Sequence, residues 1–130
     1  MVNTVASQTL NDGAYNTIMR FTTTGDGSGE ETAVTKVTAS TLMRAPAHLK
    51  IKRIVFATKG GVSLRILWDA TTPVLAYECP ANLAESVDFG LGGALLNPKA
   101  AGYTGNIKFT TVSLGAASSY TITLYMTKKW

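Results

Sequence analysis

Cys79 and His48 carry the side chains that most often serve as nucleophile, general base or metal ligand. Each is the only residue of its type among 130 residues, and a zinc site, which takes about four nitrogen and sulfur ligands, cannot be completed by two. Cys79 precedes Pro80 at the end of a predicted strand, which favours a buried, unreactive thiol over a nucleophile. His48 follows Pro46 in a predicted loop, where a packing or surface role is favoured over a general base. A lone cysteine forms no intrachain disulfide and is consistent with a reducing cytosol.

Oxygen-bearing side chains occupy alternate positions in one glycine-rich loop, at Asp26, Ser28 and Glu30. Calcium loops use such alternation, but their full ligand spacing is missing, so a plain loop is the favoured interpretation and calcium the alternative. The acids that could form a glycosidase pair are interpreted as surface acids: Asp69, Glu78, Glu85 and Asp88. The sequence contains no Gly-x-Ser-x-Gly nucleophile motif. We therefore expect no enzymatic activity, no cofactor and no bound metal.

Three aromatic residues could stack on sugar rings: Trp68, Tyr77 and Trp130. Trp68 shares its strand face with Leu64 and Ile66, which favours burial in the core. Trp130 follows two lysines, and aromatic residues are common interface anchors. Two alternatives stay open for Trp130: it packs against another subunit, or it folds back over its own sheet.

The basic residues are scattered, apart from clusters at 50–53 and 128–129, although the formal net charge is +4. A solvated strand face is the favoured interpretation of Lys50 and Lys52, and an acidic partner surface is the alternative. Nucleic-acid binding is not expected, because no aromatic residues interleave with these basic residues, as a platform for stacking nucleobases requires. A membrane span is not expected either, since no run of about 18 apolar residues occurs.

Alternating apolar and polar residues predict eight short strands joined by Gly, Pro and Asn turns. The predicted strands cover 14–24, 32–40, 49–58, 62–68, 74–79, 85–89, 105–112 and 118–129. The apolar side changes parity between Ile51 and Ile54, which predicts a β-bulge near Arg53.

Eight strands without a helical period predict an all-β, single-domain, jelly-roll-like β-sandwich. The sandwich is expected to span 14–130, after an extended N-terminal arm at 1–13 that ends in an Asn-Asp-Gly turn. An immunoglobulin-like sandwich is the alternative, but its Cys–Trp–Cys spacing is absent.

Four segments of the second half carry a recognisable pattern of strands and glycine turns. They are Trp-Asp-Ala-Thr-Thr-Pro at 68–73, Asp-Phe-Gly-Leu-Gly-Gly at 88–93, Gly-Tyr-Thr-Gly-Asn-Ile at 102–107 and Ser-Tyr-Thr-Ile-Thr-Leu at 119–124. The pattern resembles the capsid decoration (cement) proteins of tailed bacteriophages. The resemblance implies a non-enzymatic virion protein on the outer capsid surface, assembled in the host cytoplasm, trimeric, with the major capsid protein as partner. A phage tail or fibre module and a carbohydrate-binding module are the alternatives.

The residues expected to contact protein come from the arm, the basic cluster and the terminal aromatic. The arm is expected to become ordered on a shell or a neighbouring subunit, at a cost in conformational entropy. The predicted interface residues are Val2, Thr4, Val5, Leu10, Lys50, Lys52 and Trp130.

Overall fold

The computed structural model describes residues 4–25, 27, 30–89 and 94–130. These residues form nine β-strands and one short 3₁₀ turn at Ala39–Thr41, with no α-helix among them. The strands are β1 (Thr4–Asp12), β2 (Asn16–Thr24), β3 (Val34–Val37), β4 (His48–Lys59), β5 (Ser63–Trp68), β6 (Val74–Cys79), β7 (Ala84–Asp88), β8 (Ile107–Val112) and β9 (Ser119–Lys129). Over the same ranges, no helix is long and apolar enough to cross a membrane.

Two antiparallel sheets pack face to face. The larger sheet has the strand order β1-β2-β9-β4-β7, and the smaller has the order β3-β8-β5-β6. Every neighbouring pair is antiparallel. The prediction of an all-β, jelly-roll-like sandwich is therefore confirmed.

The core lies between the sheets because each central strand alternates inward apolar and outward polar residues. In β5, Leu64 and Ile66 are fully buried, whereas Arg65 between them is exposed. The two sheets meet through ring contacts such as Phe21 on Phe109, whose centroids lie 5.3 Å apart at an interplanar angle of 79°. Edge-to-face pairs of this kind contribute about 0.5–1.5 kcal/mol beyond the area they bury.

The N-terminal segment differs from the prediction, because residues 4–12 are not a free arm. They form β1 and pair with β2 from Thr4 opposite Thr24 to Asp12 opposite Thr17. The predicted turn after the arm exists, and Gly13 N–H donates to Asn16 O at 2.8 Å. The turn therefore closes a β-hairpin, and the strand count rises from eight to nine. β1 has little apolar alternation, so strand periodicity gave no sign of it.

The predicted bulge in β4 is confirmed, since the register with β9 shifts between Ile51 and Arg53. The extra residue lets Ile51 and Ile54 both face the core, where each is fully buried. Beyond the bulge β4 pairs with β7. Before it, Ile51 exchanges two backbone hydrogen bonds with Leu95, at 3.0 and 2.8 Å.

Candidate functional site: a sheet edge and one end of the sandwich

The cysteine thiol is buried in the core at the end of β6. Cys79 is fully shielded from solvent, and burial together with the nearby charge of Glu78 raises its pKa to about 12. The side chain is therefore a neutral thiol at physiological pH, whereas a cysteine nucleophile acts as thiolate. The predicted buried thiol is confirmed.

His48 begins β4 and lies among cations. Burial and the positive charges of Lys99, Lys129 and Lys50 lower its pKa below 6.5. Its Nδ1 is buried and has no hydrogen-bond partner among the described residues. A histidine that acts as general base is normally oriented by a carboxylate or carbonyl on this nitrogen. The environment of His48 instead favours a neutral ring within a basic cluster.

The candidate acids are separated in the fold. Asp69 pairs with Lys108 Nζ at 3.1 Å and accepts a hydrogen bond from Thr104 at 2.6 Å. Glu78 pairs with Arg65 at 2.7 Å. Glu85 and Asp88 lie three positions apart on β7 and so point to opposite sides. The structure brings no glycosidase-like pair together from these acids.

The candidate calcium loop lies partly outside the described residues, at Asp26 and Ser28. Glu30 is described, and its carboxylate accepts hydrogen bonds from Leu114 N–H at 2.7 Å and Thr111 Oγ1 at 3.1 Å. This carboxylate fastens its loop to the end of β8. Within the described ranges, no three His, Cys, Asp or Glu residues group as metal ligands would.

The expected burial of Trp68 in the core is confirmed, and the alternative of a sugar-stacking platform finds no support at Trp68 or Tyr77. Trp68 is only 3% exposed and belongs to the core. Tyr77 packs between Phe56 and Phe89, with ring centroids 6.4 and 6.1 Å away. Trp68 shares its strand face with core residues. Tyr77 is covered by the rings of Phe56 on β4 and of Phe89, the residue after β7, so neither residue offers an open face.

The edge strand β1 carries three of the predicted interface residues, Thr4, Val5 and Leu10; Val2 lies outside the described part of the chain. Val5 is 50% exposed and Leu10 is 42% exposed. Val5 lies opposite the buried Thr23, on the side of the larger sheet that faces the smaller one. It stays exposed because β1 is the outermost of five strands and the facing sheet has only four.

The four sheet edges differ in charge. β7 carries Glu85 and Asp88, β6 carries Glu78, and the four-residue β3 carries Lys36. Charges and short length on an edge strand prevent pairing with other chains. β1 has nine residues and no charge before Asp12. From Thr4 to Thr9 this long edge lacks such protection, and a register shift against β2 between Thr9 and Asn11 interrupts it further on.

One end of the sandwich carries an exposed aromatic cluster, which we call the aromatic end: Tyr15, Met43, Arg44 and Trp130. Trp130 Nε1–H donates to Arg44 O at 2.8 Å. The Arg44 guanidinium lies over both rings, 4.4 Å from the Trp130 centroid and 5.1 Å from that of Tyr15. Trp130 therefore folds back on its own chain, yet 53% of it stays exposed.

The turn that presents Arg44 has an uncommon backbone. Arg44 and Ala45 have φ of 65° and 41°, in the left-handed region that costs non-glycine residues about 1–3 kcal/mol. The buried Lys128 holds this turn, since its Nζ donates to Met43 O at 2.8 Å and pairs with Asp12. Asp12 in turn accepts a hydrogen bond from Met43 N–H at 2.9 Å.

A basic rim adjoins the aromatic end: His48, Lys50, Lys99 and Lys129. His48 lies directly opposite Lys129 in the β4–β9 register. The charge of Lys129, then burial and the charge of Lys52, lower the pKa of Lys50. The predicted interface residues Lys50 and Trp130 are thus brought to one end of the molecule, and Lys52 is exposed at the bulge.

The fold defines a class, an all-β jelly-roll-like sandwich, and comparisons with known proteins add little to it. No family model matches the sequence, and no curated protein matches it. The structure is similar to that of a cupin superfamily protein from Desulfitobacterium hafniense DCB-2. The identity is 12% and the TM-score 0.37, over 100% of this chain and 82% of that chain. At this identity the likeness concerns the fold alone.

The resemblance to phage capsid decoration proteins is wrong as a family assignment. The structural match is to a cupin superfamily protein and not to a phage capsid protein. The resemblance rested on strands and glycine turns, which many β-sandwich families share because the turn geometry demands them. Residues 90–93 of that pattern also lie outside the described residues.

Proposed function

We propose that this protein is a non-enzymatic assembly module that associates with a second copy of itself through β1. The observation that carries the proposal is the long, uncharged outer edge of the larger sheet. An edge strand presents a row of backbone N–H and C=O groups that another strand can pair with. Antiparallel pairing of two β1 strands would join two five-stranded sheets into one.

The lack of charge on β1 explains why the strand that pairs with it would come from another copy of this chain. When a strand pairs antiparallel with its own copy, a charge near the two-fold axis lies close to its identical counterpart, and like charges across strands are destabilising. β1 avoids this cost from Thr4 to Asn11. Such self-pairing is a two-fold arrangement that closes with two copies, so the geometry supports a dimer rather than the trimer expected from the resemblance.

Two positive observations support a role without catalysis. The Cys79 thiol is buried and kept protonated. The His48 ring is surrounded by lysines, which disfavour the charge that a general base acquires on taking a proton. The virion location and the major capsid protein as partner followed from the phage resemblance, so neither belongs to this proposal.

The proposal is tested by adding negative charges to β1, which then lie on the edge strands of both copies. Ala6 and Gln8 face outward on β1, and Gln8 lies opposite Arg20. The double variant Ala6→Glu, Gln8→Glu is expected to keep β1 on β2, because the carboxylate introduced at position 8 can pair with Arg20, while four new carboxylates meet across the two-fold axis. Analytical ultracentrifugation should show a concentration-dependent dimer for the wild type and a monomer for the variant.

The matched control adds the same charges to the opposite edge of the same sheet. Ala84→Glu with Ser86→Glu on β7 should leave the dimer intact. A wild type that stays monomeric at every concentration tested, or an Ala6→Glu, Gln8→Glu variant that still dimerises, contradicts the proposal. Far-ultraviolet circular dichroism checks that each variant is folded.

A further inference from the structure

The aromatic end has the composition of an interaction surface. Tyr15 is 62% exposed, Met43 52% and Trp130 53%, and Arg44 is exposed beside them. Trp, Tyr, Met and Arg are the residue types enriched at protein interfaces, and Trp, Tyr and Arg dominate binding energy there. Here Tyr15, Arg44 and Trp130 contact one another and Met43 directly precedes Arg44, whereas single exposed apolar residues elsewhere on the surface need no explanation.

The surface is held in place before any partner arrives. The Arg44 backbone accepts a hydrogen bond from Trp130, and its guanidinium lies over two rings. Lys128 anchors the preceding residue, Met43, from inside the sandwich. Because these contacts already fix the side chains, a partner would not have to order them, and this reduces the entropic cost of binding.

The basic rim beside this surface is positively charged. The charge of Lys129 lowers the pKa of Lys50, and burial and the charges of Lys99, Lys129 and Lys50 all lower the pKa of His48, so these cations lie close to one another. The nearby acid Asp12 is already engaged by Lys128 and Met43. An open groove of about 610 Å³ starts at Asn16, next to Tyr15, and extends over the outer sheet face to Lys52 and Arg53, with Asp88 at its far side. Negative charge on a partner would relieve the repulsion among these lysines.

The Arg44 guanidinium reduces the ring surface open to stacking on bases or sugars. It lies over one face of the Tyr15 ring and one face of the Trp130 ring, and stacking needs an open ring face. The exposed ring edges and the Met43 side chain instead suit an apolar side chain, and the guanidinium suits a carboxylate. A peptide segment that carries both acidic residues and a large apolar residue would match these features of the surface.

We infer that the aromatic end and the basic rim together bind an acidic protein segment through an apolar anchor placed between Trp130 and Met43. This site lies at the end of the sandwich and does not depend on pairing through β1. The carboxylates of the segment would reach Arg44, Lys129 and Lys50.

The test uses a fluorescein-labelled synthetic peptide of glutamates around two leucines, with anisotropy as the readout. The wild type should bind it, and binding should weaken as salt rises because surface charges are screened. Trp130→Ala should weaken binding at least about tenfold, as loss of an interface anchor does. Lys50→Gln with Lys129→Gln should weaken binding and flatten its salt dependence. Bound peptide should also protect Trp130 from iodide quenching.

Matched controls are available at distant exposed positions. Leu75→Ala on β6 and Lys59→Gln at the far end of β4 should bind the peptide as the wild type does. A second peptide with glutamine in place of every glutamate should bind much more weakly. Equal binding of the two peptides, unchanged binding by Trp130→Ala, or tighter binding of heparin or single-stranded DNA than of the acidic peptide would overturn the inference.

Discussion

Lys128 is a charged side chain held inside the sandwich at the end of β9. It is fully buried, and its Nζ donates to Gly13 O at 2.6 Å and Met43 O at 2.8 Å besides pairing with Asp12. A buried ammonium is tolerated only when its donors are satisfied, and here all three are used. The residue thereby ties the β1–β2 hairpin to the turn that presents Arg44.

Replacing Lys128 by Met should destabilise the protein by about 2–4 kcal/mol, because a carboxylate and two carbonyls lose their donor. The loss can lie at the lower end of that range because the Asp12 side chain is 27% exposed, and water can replace part of the lost interaction. Urea unfolding followed by circular dichroism measures the change.

The control is the double variant Asp12→Asn, Lys128→Met, which removes the unpaired charge as well. Its loss should be smaller than the sum of the two single losses, as expected for coupled groups. Strict additivity, or a Lys128→Met loss below about 0.5 kcal/mol, would contradict the role given to this ion pair.

A second polar contact links the sheets through Glu31. This carboxylate accepts hydrogen bonds from Tyr120 Oη on β9 and Lys36 Nζ on β3, each at 2.5 Å. Burial and the neighbouring Glu31 raise the pKa of Tyr120, so the phenol stays protonated and donates. The contact joins an edge of the smaller sheet to a central strand of the larger one.

At the scale of the elements, the loop before β8 packs backbone to backbone against the segment before β4. Gly105 has φ of +83°, and a Cβ there would lie 2.0 Å from Ala47 O. Ala47 N–H in turn donates to Lys129 O at 2.8 Å. The glycine therefore sets how closely the loop approaches the end that carries Trp130.

Gly105→Ala should destabilise the protein by at least about 2 kcal/mol, because it adds a backbone clash to the strain of a left-handed residue. Gly61→Ala is the matched control, since Gly61 has φ of +86° and a Cβ added there would meet nothing within 4 Å. The control should lose only about 1 kcal/mol, from strain alone. Thermal unfolding compares the two, and equal losses would show that the close approach is unimportant.

At the scale of the whole molecule, three titrating groups act in the same direction. Burial alone would raise the pKa of Asp12 and of Asp69. Hydrogen bonds from Lys128 and Met43 and the charge of Lys128 instead lower the pKa of Asp12 below 3.8. Hydrogen bonds from Thr104 and Lys108 and the charge of Lys108 do the same for Asp69. Burial and neighbouring lysines lower the pKa of His48 below 6.5. In each case the unfolded chain binds protons more readily than the folded one.

Stability should therefore fall in two stages as the pH drops. Below about pH 6.5 the unfolded state gains a proton at His48, and below about pH 4 it gains protons at Asp12 and Asp69. Melting temperatures measured from about pH 8 to pH 3 should show both stages. His48→Gln should remove the first stage and Asp69→Asn should reduce the second; an unchanged profile in both variants contradicts the assignment.

The central strands could be predicted because the local alternation of apolar and polar residues shows which face of each strand is buried. Leu64 and Ile66 alternate with polar residues, and strict alternation indicates one buried face whatever the neighbouring strand is. The parity change between Ile51 and Ile54 likewise revealed the bulge. Local spacing was sufficient for these elements since a β-strand repeats every two residues.

The candidate site depended on contacts between distant residues. Trp130 and Arg44 are 86 positions apart, and no local pattern connects them. β1 was missed because it lies at an edge, where both faces are exposed and no burial imposes alternation. The number and spacing of the core strands, the bulge and the turn at Gly13 follow from the sequence alone. The exposed edge and the aromatic end were decided by tertiary structure, because strand order and facing layers determine which side chains solvent reaches.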